Sequence, residues 1–266
     1  MTKQIKKARK ARLSSKEELG RMHKKAVKLI QEQIKKHSLG KLGFLSFVGT
    51  RPWGFGRDNV DYDYRGVYAS KEDKSYHVFI SGVFINNYAK DIILISLERF
   101  FENNLRLNIH TLILFNSPII YASKEFLEFK KWINSNLTKK IYKTCQTKKS
   151  HSNRKDYLYD FFFIGNGISV LEQKKVIANL PKLNKKCLKI SFIDKLIKEE
   201  KTGLPFRNKQ ECEKVLTKLK TRLEKANKKS SLPEEIDKSK FTKLKIAKKI
   251  NYKFWTEEER IKRKND

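Results

Sequence analysis

One stretch limits what this chain can become: Gly49 to Tyr68, reading GTRPWGFGRDNVDYDYRGVY. The apolar run Phe44–Val48 before it predicts a strand that ends at Gly49-Thr50. A loop holding Gly54 and Gly56 follows, and Val60–Tyr68 alternates well enough for a second strand. On that strand Asp61 and Asp63 stand two residues apart, so their carboxylates point to one face. Two carboxylates just beyond a loop with exposed backbone N–H groups suit a divalent metal and the phosphates it carries. The bland alternative is a pair of solvated acids at a strand edge, which is the weaker account in a chain this poor in acids.

Charge narrows the partners. The chain has 61 Lys plus Arg against 29 Asp plus Glu, a net charge of +32. Such a field collects polyanions, with nucleic acid the first candidate. Codon bias in an AT-rich genome also enriches Lys, Ile and Asn, but it should enrich Glu too. Nucleic-acid contact is therefore the better explanation. The three cysteines, Cys145, Cys187 and Cys212, are widely spaced and form no C-x-x-C pair, which fits a reducing compartment and argues against zinc. No run approaches a membrane span and no signal-peptide core follows the basic start, so the expectation is a soluble, cytoplasmic protein without a membrane partner.

The 266 residues allow one large domain or two small ones. Residues 1–16 carry seven Lys or Arg and no acid, a basic tail. Ser15-Lys16-Glu17-Glu18 is a capping-box signal for a helix running to about His37 with Met22, Ala26, Val27, Ile30 and Ile34 as its apolar stripe. Tyr76–Ile80, Ile92–Ile95, Leu112–Phe115 and Ile119–Tyr121 read as extended, and Leu97–Asn104 and Lys124–Asn134 as helices. Phe129–Lys155 holds nine Lys or Arg and no acid, so the boundary is placed near residue 150. Residues 17–150 form the catalytic domain of this reading and 151–266 a helical one. In the latter, helical patterns cover Tyr157–Ile164, Ser169–Ala178, Ser191–Lys198 and Lys209–Ala226, with a further start signal at Ser230–Glu235.

Gly54-Phe55-Gly56 is no dinucleotide fingerprint, since Asn59 stands where another Gly is needed, and there is no Walker A sequence. Gly49-Thr50, the loop and Asp61-x-Asp63 instead resemble the signature of the polymerase β nucleotidyltransferase superfamily. The similarity is greatest to the bacterial and phage nucleotidyltransferases associated with RNA repair, whose pattern is matched by Gly49, Trp53-Gly54, Asp61, Asp63 and Arg65-Gly66-Val67. Asp91–Phe100 resembles the strand-to-helix segment that carries the family's third carboxylate, and Leu232-Pro233-Glu234 its C-terminal Leu-Pro-Glu. A Glu, a His and an Arg of the family pattern fall on Ile113, Tyr159 and Phe162, so an altered substrate or a lost activity stays open.

The resemblance implies an α+β fold, a nucleotidyltransferase-type mixed sheet flanked by helices, followed by a mostly helical C-terminal domain. It implies Asp61, Asp63 and Asp91 as catalytic ligands of Mg²⁺ or Mn²⁺, which would clamp a nucleoside triphosphate for transfer of a nucleoside monophosphate to a hydroxyl, first of all on RNA. Gly49 and Thr50 would offer donors to the β- and γ-phosphates. Arg51 and Arg65 are further nucleotide-binding candidates, although Arg65 serves equally well as a structural partner of Asp63. Tyr62 and Tyr64, on the opposite strand face, are expected in the core. Lys139, Lys140, Lys143, Lys148, Lys149, Arg154 and Lys155 are candidates for nucleic-acid contact, with His151 adding to that patch. The rival reading is a decayed transferase fold that binds RNA without catalysis; transfer to a protein or a small molecule is a third.

Overall fold

The computed structural model describes residues 3–57, 62–69, 78–80, 92–146, 151–244 and 246. Its first element, helix α1 (Lys3–Lys36), runs straight through Ser15. The capping box is therefore not a start: Lys, Arg and Ala propagate a helix well, and no Gly or Pro stands between Lys3 and Ser15 to stop it. Met22, Ala26, Ile30 and Ile34 form the buried stripe, as their spacing predicts.

The chain then lays down β1 (Lys41–Val48), β2 (Asp63–Ala69), β3 (Val78–Ile80) and β4 (Ile92–Ser96). Helices α2 (Leu97–Leu105) and α3 (Ile109–Asn116) precede β5 (Ile119–Ala122). The five strands form one mixed sheet in the order β3-β4-β2-β1-β5, in which β2 and β4 are parallel and the other neighbours antiparallel. The expected α+β class is what the structure has. Leu112–Phe115, expected extended, is instead the centre of α3. Asn108 caps that helix by accepting from the His110 and Thr111 N–H groups at 3.0 and 3.4 Å. Every residue of Thr111–Phe115 is buried, so the run shows no helical alternation to read.

Strand alternation sorts the sheet's side chains. Leu42, Leu45, Phe47, Tyr62, Tyr64, Tyr68, Ile92 and Leu94 meet the α1 stripe on one face. Phe44, Val48, Val67 and Ile95 point to the other, into the larger core. Tyr62 and Tyr64 are thus core residues, as expected. Each of the fully buried aromatic side chains contributes on the order of 2 kcal/mol of apolar burial.

The larger core is filled by α4 (Lys124–Ser135), α5 (Ile141–Cys145), α6 (Arg154–Gln173), α7 (Leu180–Leu183), a π-helical turn (Asn184–Leu188), α8 (Ser191–Thr202), α9 (Lys209–Lys229) and α10 (Lys238–Thr242). Its axis is α6, which begins with a reciprocal Asn153–Asp156 capping box and is buried along most of its length. The sequence pattern divides this helix in two, whereas the structure keeps it whole to Gln173 and then leaves Lys174–Asn179 non-helical. The Ser230–Glu235 start signal also fails: that segment is irregular, buries Leu232 and accepts the Lys139 N–H on the Pro233 carbonyl at 2.9 Å.

Candidate active site

The loop after β1 closes on itself through its backbone. The Gly49 carbonyl accepts from Trp53 N at 3.2 Å, and the Thr50 carbonyl accepts from both Phe55 N at 3.0 Å and Gly56 N at 2.8 Å. Gly49 sits at φ +88°, and a Cβ there would lie 2.2 Å from Asp63 Oδ2. Glycine is required twice over: for the backbone conformation, and because the Asp63 carboxylate occupies the space a side chain would fill. Val48 pairs with Asp63 across the β1–β2 ladder, which fixes that juxtaposition.

The loop is held from behind by residues far along the chain. Trp53 Nε1 donates to Ser117 Oγ at 2.9 Å, Leu180 N donates to the Trp53 carbonyl at 2.8 Å, and Asn179 Nδ2 donates to the Pro52 carbonyl at 3.2 Å. Gly54, at φ +89°, admits Asn179 and Pro181 so closely that a Cβ would lie 2.7 Å from each. Trp53 and Phe55 interleave with Tyr159, Phe162 and Phe163 of α6, with ring centroids 5.3 to 6.4 Å apart. Contacts of this kind add roughly 0.5–1.5 kcal/mol each beyond their area.

Asp63 and Arg65 project from the same face of β2 as Val67, toward α6, where their charges act on the half-buried Tyr159. Burial pushes the Tyr159 phenol up to about 12; the Asp63 charge adds to the rise and the Arg65 charge opposes it. Tyr159 thus forms a wall of the site, with its ring edge-on to Phe55 at 5.3 Å and stacked on Phe163 at 5.9 Å. The sequence shows Tyr159 only as a departure from a family pattern. The readable signal was the Lys155, Tyr159, Phe163 spacing on one helix face.

Of the other expected residues, Thr50 is only 6% exposed, and its Oγ1 lies against Gly56, so the hydroxyl faces the loop. Arg51 lies over the Tyr62 ring, 4.4 Å from its centroid, in a cation–π contact. Asp61 and Asp91 lie outside the described residues, as do Lys148 and Lys149. Among the described residues no group of three His, Cys, Asp or Glu side chains gathers for a metal, and no helix is long and apolar enough to cross a membrane.

The basic segment is rearranged by folding. Arg154, expected at a nucleic-acid surface, is 3% exposed. Its guanidinium faces Glu199 at 3.5 Å and Glu200 at 3.4 Å, and donates to the Leu204 and Pro205 carbonyls at 2.9 Å. Its charge is spent inside the fold, so it leaves the expected surface. His151 is likewise no surface cation: it is tucked in with Nε2 2.7 Å from Asp160 Oδ2 and its ring stacked 4.2 Å from Tyr157. Lys139 and Lys140 pair with Glu234 and Glu235 at 2.8 and 2.9 Å, while Lys143 and Lys155 remain exposed.

A glycine turn packed on a strand-borne aspartate, in a mixed sheet flanked by helices, defines a nucleotidyltransferase-type domain of the polymerase β superfamily. A model of the RNA repair pathway DNA polymerase beta family (RlaP) matches residues 22–246, and the chain belongs to that family. Among solved structures the chain is similar to a nucleotidyltransferase-like protein from Exiguobacterium sibiricum 255-15, at 12% identity, over 73% of this chain and 72% of that one, with a TM-score of 0.28. No curated protein matches. The family assignment rests on the first of these matches.

Proposed function

We propose that this protein transfers a nucleoside monophosphate from a nucleoside triphosphate to a hydroxyl of RNA. The observation that carries the reading is the Asp63 carboxylate held against the Gly49 turn, with Arg65 and Tyr159 on the same side. The RNA-repair description of the family and the +32 charge support RNA as acceptor.

Asp63 is chemically suited to a divalent cation. It is a hard oxygen ligand, half-buried, and kept at the loop by the missing side chain of residue 49. Asp61 and Asp91 would complete the set. Bound there, Mg²⁺ or Mn²⁺ would lower the pKa of the attacking hydroxyl and offset charge on the triphosphate. The chain's own work is positional. The loop backbone spends the Trp53, Gly54, Phe55 and Gly56 N–H groups on its own closure, which fixes the turn that keeps the Asp63 carboxylate beside Gly49. Arg65, two residues on and on the same strand face, would offset the Asp63 charge and give a donor fork to a phosphate. The Phe55–Tyr159 wall excludes water on the α6 side and gives a nucleobase an aromatic edge.

Purified protein is incubated with Mg²⁺ or Mn²⁺, each labelled nucleoside triphosphate in turn and a pool of small RNAs, beside Asp63→Asn and an Asp61→Ala/Asp63→Ala variant. Label is expected in RNA with the wild type alone; equal labelling by the variants refutes the mechanism. A second reading, an RNA-binding protein on a transferase scaffold, draws on Ile113 and Phe162. Both are fully buried in the apolar core, at positions where the family pattern carries polar groups. That reading predicts no label and equal RNA affinity with and without metal.

A further inference from the structure

The strongest remaining feature adjoins the backing of the Gly49 loop, next to Ser117 and Asn179. An open cleft of about 370 Å³ is lined by Asn116, Asn134, Lys174, Lys175 and Lys186, with Gln173, Val176 and Ile177 completing it. No carboxylate among the described residues lines it. Residues 173–193 carry six lysines and no acid: Lys174, Lys175, Lys182, Lys185, Lys186 and Lys189. All six are exposed, and none has an acidic partner within 4.0 Å among the described residues. Lys139, Lys140, Arg154 and Arg222 each face a carboxylate. Here the fold gathers lysines unneutralised around a concavity.

The backbone is committed to this arrangement. Lys174 and Lys189 both hold left-handed backbone, φ 56° and 58°, at the ends of α6 and of the π-helical turn. Glycine would adopt either position at less cost, yet lysine stands at both. The opposite wall is polar and rigid. Asn116 and Asn134 exchange amide hydrogen bonds at 3.1 and 3.0 Å, and Asn116 also donates to the Leu112 carbonyl at 2.9 Å. Beyond that exchange Asn134 keeps an N–H and a carbonyl lone pair, enough to meet a ribose hydroxyl or a base edge.

We propose that this cleft and the lysine-lined surface leading from it bind the phosphate backbone of single-stranded RNA. The lysines extend past the cleft to Lys182, Lys185 and Lys189, so the surface suits an extended polyanion better than a free phosphate. The inference rests on the reading of RNA as acceptor for the identity of its partner. Gln173 at the cleft is 14 residues along α6 from Tyr159, about 21 Å at 1.5 Å per residue. The lysine end of the surface therefore holds the acceptor strand at a distance from the nucleotide, while the Asn116 and Ile177 end adjoins the backing of the Gly49 loop.

The test is salt-dependent binding of a fluorescein-labelled 30-nucleotide single-stranded RNA, a length of roughly two binding sites of this kind. Lys174→Gln/Lys175→Gln/Lys186→Gln is compared with Lys24→Gln/Lys28→Gln/Lys35→Gln, which removes the same charge from exposed positions on α1, across the sheet. Three lost phosphate contacts at about 0.7 each lower the slope of log K against log salt by about 2, and weaken binding roughly a hundredfold at 0.1 M. The α1 variant is expected to keep its slope within about 0.5 of wild type. Unchanged affinity in the cleft variant, or an equal loss in both variants, overturns the proposal. Both variants should keep the wild-type melting temperature, since all six substituted residues are exposed. Asp63→Asn should bind the RNA as wild type does. A failure of nucleotide transfer therefore leaves this site standing, and the loss of this site leaves transfer to be judged separately.

Discussion

Replacing Gly49 by alanine tests the site where its geometry is tightest. The new methyl would lie 2.2 Å from Asp63 Oδ2, short of ordinary contact by about 1 Å, in a backbone at φ +88° that L-residues avoid. The left-handed conformation alone costs about 1–2 kcal/mol, which for a chain of this size lowers the melting temperature by about 2–8 °C. The carboxylate must also retreat by roughly 1 Å, and a displacement of that size at a reacting centre costs on the order of a hundredfold in rate. Scanning calorimetry and the labelled-nucleotide assay read the two effects separately. Gly20→Ala is the control, because Gly20 lies within α1 and a Cβ there meets nothing within 4 Å. It should stabilise by about 0.5–1 kcal/mol and leave transfer alone. Gly49→Ala protein with an unchanged melting temperature and transfer within threefold of wild type would refute the reasoning.

Three further outcomes follow from burial. Arg154→Ala strands Glu199 and Glu200 beside an empty space and should cost about 3–5 kcal/mol in urea unfolding; Arg154→Lys should recover little, since an ammonium cannot span two carboxylates and two carbonyls. Burial against Tyr64 and Phe47 holds the His23 ring below its ordinary 6.5, so the unfolded chain takes a proton that the folded one resists. The stability from this group is complete above about pH 6.5 and is lost as pH falls toward the depressed folded value, by at most about 1.4 kcal/mol per unit. His23→Phe should flatten urea midpoints between pH 6.5 and 5, and an identical slope in both proteins would speak against it. Cys145, Cys187 and Cys212 are all buried and burial pushes each thiol up, Cys212 to about 12. Native protein at pH 8 should resist a disulfide reagent that titrates three thiols in guanidinium; rapid native labelling would contradict that.

The parts of the fold legible in the sequence were those governed by local rules. Alternation placed Tyr62 and Tyr64 in the core, and the Gly49-to-Asp63 spacing located the turn and the carboxylate that the ladder brings together. What escaped depended on partners far along the chain. Leu112–Phe115 is buried all round by neighbours from several elements, so its helix leaves no periodic trace. Helix α6 read as two helical patterns, with Gly165 and Gly167 in the gap between them, yet these residues let other elements close in. A Cβ at Gly167 would lie 2.7 Å from Cys145 Sγ and 2.9 Å from Leu223 Cδ1. Arg154 reads as one more cation in a basic run, and only the fold supplies Glu199 and Glu200. Tyr159 becomes part of the site because the aromatic packing around Trp53 carries it there.

The clamp on the Gly49 loop also sets a timetable. Asn179 grips the Pro52 carbonyl across 127 residues of chain. At about 5–20 residues per second, a ribosome delivers that clasp roughly 6–25 seconds after the loop itself. For most of that interval Trp53 and Phe55 have no α6 to pack against, and the turn that would cradle a triphosphate has no backing. The earliest-made part of the candidate site is thus the last to be finished, and a nascent chain lacks the loop's full support until α6 and the Asn179 segment have emerged.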